Sequence, residues 1–236
     1  MPIVGTLDRG ATLLVGLDDA PPAPMQMGSP ETGDFRGYEV DLLRDVARRL
    51  NIQLRYRRAL WSALIRELAS GALDIICSAA TVTEDRRREV DFCRPHLALA
   101  LAIVRRADDV SSGVSLRRAR VGVRRGTTAE AHVNSDGAAA SVRLSESNEE
   151  LYAALRAGEV DAVVDDSPIA QYFSTVVEGL HTCGVVPGSD ARYAIMVRKG
   201  NHGLRNAIDA VIDEMETEGT LRAFAARWLD AEIPER

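Results

Sequence analysis

Aromatic side chains make up only 5% of this 236-residue sequence, too few for the stacking platforms that hold nucleic-acid bases. Excess positive charge is missing as well. The net charge is −6, so a phosphate backbone finds no basic face, and no nucleic-acid partner is expected. The four histidines, His96, His132, His181 and His202, lie far apart and beside no nucleophile, so each reads as structural or surface. Three cysteines, Cys77, Cys93 and Cys183, form no Cys-x-x-Cys pair and no Cys/His ligand spacing; no metal is expected, and no disulfide is specified. Gly-x-Ser-x-Gly, Gly-x-x-x-x-Gly-Lys and His-Glu-x-x-His are all absent, so the expectation is no catalytic residue and no cofactor. The longest apolar run, Leu97 to Val104, is strand-sized and far short of a bilayer span. Met1-Pro2-Ile3-Val4-Gly5 is not the charged-then-apolar start of a secretory leader, so a leader is read as not present in this chain.

What is there is an ordinary globular balance, 46% hydrophobic and 27% charged, arranged as alternating strand and helix patterns. Leu13 to Leu17 reads as a strand, Pro21 to Gly37 as a loop, and Val40, Leu43, Val46, Ala47 and Leu50 as one face of a helix. Ile52 to Tyr56 alternates as a strand does, and Ser62 to Ser70 is a helix closed by Gly71. Asp74 to Ser78 is the next strand, and Glu84 to Val90 a short helix. The alternation resumes with a strand at Arg120 to Val123, a helix opened by the capping box Ser147-Asn148-Glu149-Glu150, and strands at Val160 to Val164 and Arg192 to Val197. Helices at Leu204 to Glu218 and Leu221 to Leu229 end the pattern. The apolar runs near 97–104 and 192–197 are natural crossings between two lobes, placing residues 1–104 with 192–236 in one lobe and 105–191 in the other.

Three strand-to-helix loops carry the chemistry, because ligands of α/β sheets bind at the carboxyl ends of strands. In Ser78-Ala79-Ala80-Thr81-Val82-Thr83-Glu84-Asp85-Arg86, small residues admit a ligand to the backbone, and Arg86 can clamp a carboxylate with two parallel hydrogen bonds. A plain surface arginine is the competing reading. In Arg124-Arg125-Gly126-Thr127-Thr128, the amides after Gly126 and the Thr128 hydroxyl offer further donors, or simply an N-cap. In Asp165-Asp166-Ser167-Pro168, an acid caps a helix or holds an ammonium group. Carboxylate donors in one lobe and an ammonium acceptor in the other are what a free α-amino acid requires, since buried charges must be paired.

These segments resemble the periplasmic solute-binding proteins of polar amino-acid ABC transporters, solute-binding family 3, over about Leu13 to Leu229. Gly37-Tyr38-Glu39-Val40-Asp41-Leu42 is similar to that family's GFDVDL segment, and Thr81-Val82-Thr83-Glu84-Asp85-Arg86 with Val90-Asp91-Phe92 to its TITPER and VDFS stretches. Leu64 through Ile76, Val121-Gly122-Val123, Gly158 through Val163 and Glu218-Gly219-Thr220 follow in the family's order. The resemblance implies a type II periplasmic-binding-protein fold, two α/β lobes joined by two crossover strands. It also implies a non-enzymatic, monomeric receptor, periplasmic or extracellular, that closes by hinge motion on a polar amino acid and delivers it to a membrane permease. By position, Arg86 with Thr81 and Thr128 would take the ligand's carboxylate, Asp166 with the Ala79 carbonyl its ammonium, and Ser78 and Gly126 are further ligand-binding positions. Trp61 would lie against the ligand, Asp18 or Asp19 would face its side chain, and Arg124 would tune specificity. Asp18 or Asp19 suits a cationic or amide side chain and Arg124 an acidic or amide one, so the ligand is narrowed only to polar. A cyclohexadienyl dehydratase-like enzyme, with Asp165 or Asp166 as its acid, and a sensor module are the alternatives.

Overall fold

Buried on both faces, the central strands of an α/β protein read as near-continuous apolar runs, while its helices bury a stripe. The computed structural model describes residues 10–109 and 114–229. In chain order the elements are β1 (Thr12–Asp18), α1 (Tyr38–Leu50), β2 (Gln53–Ala59), α2 (Trp61–Ser70), β3 (Ile75–Ile76), α3 (Glu84–Glu89), β4 (Val90–Phe92) and β5 (Leu97–Leu99). There follow β6 (Leu101–Arg106), β7 (Arg120–Arg124), α4 (Thr128–Asp136), β8 (Ser141–Ser145), α5 (Asn148–Arg156), β9 (Ala162–Asp166), α6 (Ser167–Val176) and β10 (Leu180–Val185). Last come β11 (Ala191–Tyr193), β12 (Met196–Arg198), α7 (His202–Thr217) and α8 (Thr220–Trp228). The chain divides into two units, one holding the described residues to Ala98 and from Arg192, the other Leu99–Ala191.

The first unit is built on a five-stranded sheet of order β2-β1-β3-β12-β4. Strand β1 runs parallel to β2 and β3, and β12 antiparallel to β3 and β4. On one face Leu13, Val15 and Leu17 pack with Val40, Leu43 and Val46 of α1 and with Ile208, Ile212 and Met215 of α7. On the other, Leu64 and Leu68 of α2 pack with Leu73, Ile76, Val90 and Met196. Each such side chain contributes roughly 1.5–3 kcal/mol when fully buried. Gly37 shows why the loop before α1 ends as it does. Its φ is 137°, and a Cβ there would stand 2.4 Å from the Met25 carbonyl oxygen, a space only glycine leaves open.

The second unit repeats the plan, with order β10-β6-β9-β7-β8, β7 parallel to β8 and β9, and β6 antiparallel to β9 and β10. Its core joins Val121 and Val123 of β7, Ala129 and Val133 of α4, and Ala162 and Val164 of β9.

Several boundaries move. The run Leu97 to Val104 is two strands, because Ala100 leaves the ladder: its N–H donates to Ser167 Oγ (3.3 Å) and its carbonyl accepts from the Ser167 N–H (2.8 Å). Since β6 belongs to the second unit, the first crossing falls at 98/99, against the 104/105 change of lobe read from the sequence. The stretch Arg192 to Val197 is likewise divided between β11 and β12. Strand β3 is shorter than Asp74 to Ser78, because side chains replace the ladder at both its ends. The Leu14 N–H donates to Asp74 Oδ2 (2.7 Å), and the Asp18 N–H to Ser78 Oγ (3.2 Å). Strands β8 and β10 escaped the sequence reading, β8 because Ser141-Val142-Arg143-Leu144-Ser145 is a mostly exposed edge strand with polar residues.

The capping box at Ser147 forms by half. Ser147 Oγ accepts from the Glu150 N–H (3.2 Å), but Glu150 Oε2 accepts from Ser145 Oγ (2.9 Å) instead of reaching back to the cap. Ser147→Ala is therefore expected to cost about 1 kcal/mol, a loss of roughly 2–4 °C in Tm read by differential scanning calorimetry.

Candidate functional site

Parallel strands β1 and β3 end side by side, with Val15 level with Ile75 and Gly16 with Ile76. Their carboxyl ends carry Asp18 and Ser78, both 2% exposed and joined by the Asp18 amide. Asp18 Oδ1 accepts from the Ala20 N–H (3.2 Å), and its carbonyl from Arg58 (2.8 Å), so this loop is pinned. Asp19 is exposed, and its N–H donates to the Ala59 carbonyl (3.0 Å).

Beyond Ser78 the backbone turns through Ala79, whose φ of 49° lies in the left-handed region that a non-glycine residue rarely occupies. The Ala79 N–H donates to both oxygens of Glu39, at 3.0 and 2.9 Å. Glu39 is buried in the first turn of α1, where burial pushes its carboxyl up to about 7 against the pull of the Ala79 amide and the Gln26 amide group. The sequence reading missed Glu39 as an organiser of this loop. The signal was present: Glu39, Leu43 and Val46 fall at i, i+4 and i+7, so an acid stands on an apolar face.

Thr81, 3% exposed, pairs with Tyr193 as an isolated bridge. Arg86 follows on α3, a helix whose N-cap Thr83 accepts from the Arg86 N–H (3.2 Å). One guanidinium nitrogen donates to the Thr81 carbonyl (2.8 Å), and Cζ lies 4.8 Å from the centre of the Trp61 ring. The structure thus brings Trp61, Thr81 and Arg86 together. The guanidinium is held by one edge and one face, which restrains its rotamers before any ligand arrives.

In the second unit the parallel strands β7, β8 and β9 end at a common edge. Arg124, 7% exposed, closes β7, and its Nε donates to the Glu146 carbonyl (3.0 Å). Gly126 has φ 73°, and its N–H donates to Glu130 Oε2 (2.6 Å), while Thr127 Oγ1 caps α4 by accepting from the Glu130 N–H (3.3 Å). Thr128 occupies the first helical position of α4, where amides lie beyond the reach of any helical carbonyl.

Asp165 and Asp166 end β9, at 6% and 9% exposure. Asp165 is buried beneath α5, accepting from Asn148 Nδ2 (2.9 Å), the Tyr152 hydroxyl (3.2 Å) and the Asp166 N–H (2.8 Å). Burial pushes Asp165 up to about 7; the Asp166 charge pushes the same way, while the Asp166 amide, Tyr152 and Arg124 pull it down. Asp166 stands at the N-cap position of α6 without a side-chain cap bond. Asn148 and Tyr152 were not foreseen as the support of Asp165. They lie four residues apart on the buried face of α5, a spacing that the apolar pattern alone does not distinguish from core.

Two α/β units, each with small-residue and hydroxyl-bearing loops at the carboxyl ends of parallel strands, define a solute-binding protein of the type II periplasmic-binding-protein fold. The chain belongs to the bacterial extracellular solute-binding proteins, family 3, which match residues 13–231. It is 27% identical over 231 residues to the L-cystine-binding protein TcyJ of Escherichia coli K12, covering 96% of this chain and 85% of that protein. Among solved structures it is similar to an ancestral arginine-binding protein bound to glutamine, with 30% identity, a TM-score of 0.85, and coverage of 94% of this chain and 99% of that one. It is also similar to the ancestral amino acid-binding protein AncCDT-1, a precursor of cyclohexadienyl dehydratase. There the identity is 26%, the TM-score 0.84, and the coverage 93% and 96%. Among the described residues no helix is long and apolar enough to cross a membrane.

Proposed function

We propose that this protein is the ligand-binding component of an amino-acid ABC transporter, working outside the cytoplasmic membrane with a membrane permease and binding as a monomer. The observation that carries the reading is the Arg86 guanidinium on α3, held ready by the Thr81 carbonyl and the Trp61 ring. A planar cation so held suits a carboxylate, which it meets with parallel hydrogen bonds. In the same proposal Ser78, Thr81, Gly126 and Thr128 assist at the carboxylate, and Asp166 with the Ala79 carbonyl takes the ammonium. Asp18, Asp19, Trp61 and Arg124 meet the ligand's side chain. The names of the relatives, which bind cystine and arginine or glutamine, support a polar side chain. The hinge of ligand-driven closure belongs at the chain crossings, 98/99 and 191/192.

A second reading is favoured by one observation. Asp165, held up to about 7, is a carboxyl that stays partly protonated near neutrality, as a general acid must. Yet its oxygens accept from Asn148, Tyr152 and the Asp166 amide, which ties it to the unit's interior. A thermal-shift screen against the twenty amino acids separates the two. A binder at a hundredfold excess over its Kd stabilises by about 2.7 kcal/mol, and the expected result is a clear rise with one polar amino acid. No rise with any of them, together with turnover of prephenate or arogenate, would replace the receptor by the enzyme.

A further inference from the structure

Beneath the loop that follows β3, the first unit gathers three side chains that the sequence keeps apart. Glu39 lies in the first turn of α1, Cys77 directly after β3, and His96 between β4 and β5. All three are buried, at 1%, 0% and 5% exposure, and one ligating atom of each lies within 4.8 Å of the others. His96 Nε2 is 3.7 Å from Glu39 Oε1. Both ring nitrogens of His96 are buried with no hydrogen-bond partner. A buried imidazole whose two nitrogens find no partner is costly, and such a group calls for a ligand.

We propose that Glu39, Cys77 and His96 form a buried site for one divalent transition-metal cation, Zn(II) by preference. Sulfur, imidazole nitrogen and carboxylate oxygen are the donor set of mixed zinc sites, whereas all-oxygen sets suit Mg(II) or Ca(II). One thiolate, one carboxylate and one neutral imidazole around Zn(II) sum to a neutral unit, which is what a buried position requires. Bonds of roughly 2.0–2.3 Å set ligand atoms about 3.5 Å apart in a tetrahedron, close to the Nε2–Oε1 separation. The widest separation then contracts by about 1 Å on binding.

The surrounding groups are those that orient ligands. Tyr38 Oη donates to the His96 carbonyl (2.7 Å), the Ala79 N–H holds Glu39, and Gln26 Nε2 donates to Glu39 Oε2 (3.2 Å) and to the Cys77 carbonyl. Because the cluster is fully enclosed, the ion enters during folding, and the site is a structural one. Absence of Cys-x-x-Cys and of any Cys/His spacing argued for no metal. Tertiary structure supplies the cluster that spacing does not.

The test uses the whole chain, unfolded and refolded with Zn(II) or with Co(II) as a spectroscopic substitute, then dialysed. The expected result is one equivalent of metal by mass spectrometry, with a thiolate-to-cobalt charge-transfer band in the near ultraviolet. Cys77→Ser should remove that band, His96→Gln should lower the bound metal at least tenfold, and Cys183→Ser should change neither. Wild-type protein that refolds without bound metal or without the thiolate band overturns the proposal, whatever the variants do. Retention of one equivalent by both the Cys77 and His96 variants overturns it equally. Amino-acid binding is a separate readout, so failure of the metal site leaves the receptor reading standing.

Discussion

Arg86→Ala is expected to weaken binding of the amino acid selected by the screen by about two to three orders of magnitude. Removing one partner of a desolvated, hydrogen-bonded charge pair costs about 2–5 kcal/mol, much of it from the ligand carboxylate left without its counter-charge. Each 1.4 kcal/mol is about tenfold in Kd. The fold should be spared. Helix α3 contains no buried residue, its N-cap bond comes from the Arg86 backbone, and alanine is a better helix former than arginine. Arg86→Lys should fall between, because it keeps the charge but loses the fork and the stacking on Trp61. Calorimetric titration gives the affinities, and melting of the ligand-free proteins gives the control. An unchanged Kd for Arg86→Ala would remove Arg86 from the carboxylate site and leave α3 a solvated surface helix.

Raising the pH from about 4 to about 7 should erode stability through Asp165. Its folded value of about 7 lies above the ordinary 3.8, so in this window the unfolded chain has released the proton while the folded chain still holds it. Fewer protons bound in the unfolded state makes the slope of unfolding free energy against pH negative. The stabilising effect is whole below about pH 4, falls as pH rises, and is exhausted above the folded value. A shift of about three units corresponds to at most about 4 kcal/mol at 1.36 kcal/mol per unit. Tyr152, Asp166 and Arg124 are the titratable groups that act on Asp165, and Tyr152 is itself pushed well above its ordinary value by burial, so it stays neutral throughout. Urea unfolding of wild type and Asp165→Asn across this window isolates the effect. Wild type should lose stability relative to Asp165→Asn steadily with rising pH, because asparagine stays neutral where the Asp165 carboxyl ionises, and parallel curves would place Asp165 in a better-solvated setting than its burial implies.

Much of the architecture was legible because it rests on local signals. The stripe Val40, Leu43, Val46 marked α1, Gly71 with its φ of 82° stops α2, and Ser147 opens α5. Less legible was where an apolar run breaks. Nothing local in Leu97 to Val104 announces that Ala100 will bond to Ser167, 67 residues on. The reach of individual arginines is no more legible from local pattern. Arg58 holds the Asp18 and Gly28 carbonyls, and Arg49 joins α1 to α7 through Glu214 and Glu218.

The candidate site divides along the same line. Residue types at strand-to-helix loops, such as the Thr81 to Arg86 segment or Asp165-Asp166, follow from the α/β pattern, because strand ends and helix starts expose amides and hydroxyls wherever they occur. Sequence by itself therefore determined the class of protein and where its strand-to-helix loops fall. Only tertiary structure decided that Arg86 lies on Trp61, that Asp165 is enclosed by Asn148 and Tyr152, and that Glu39, Cys77 and His96 meet in one buried cluster. The physical reason is range. Helix periodicity and capping act within a few residues, whereas desolvation and charge pairing depend on which distant segments the sheet order brings together.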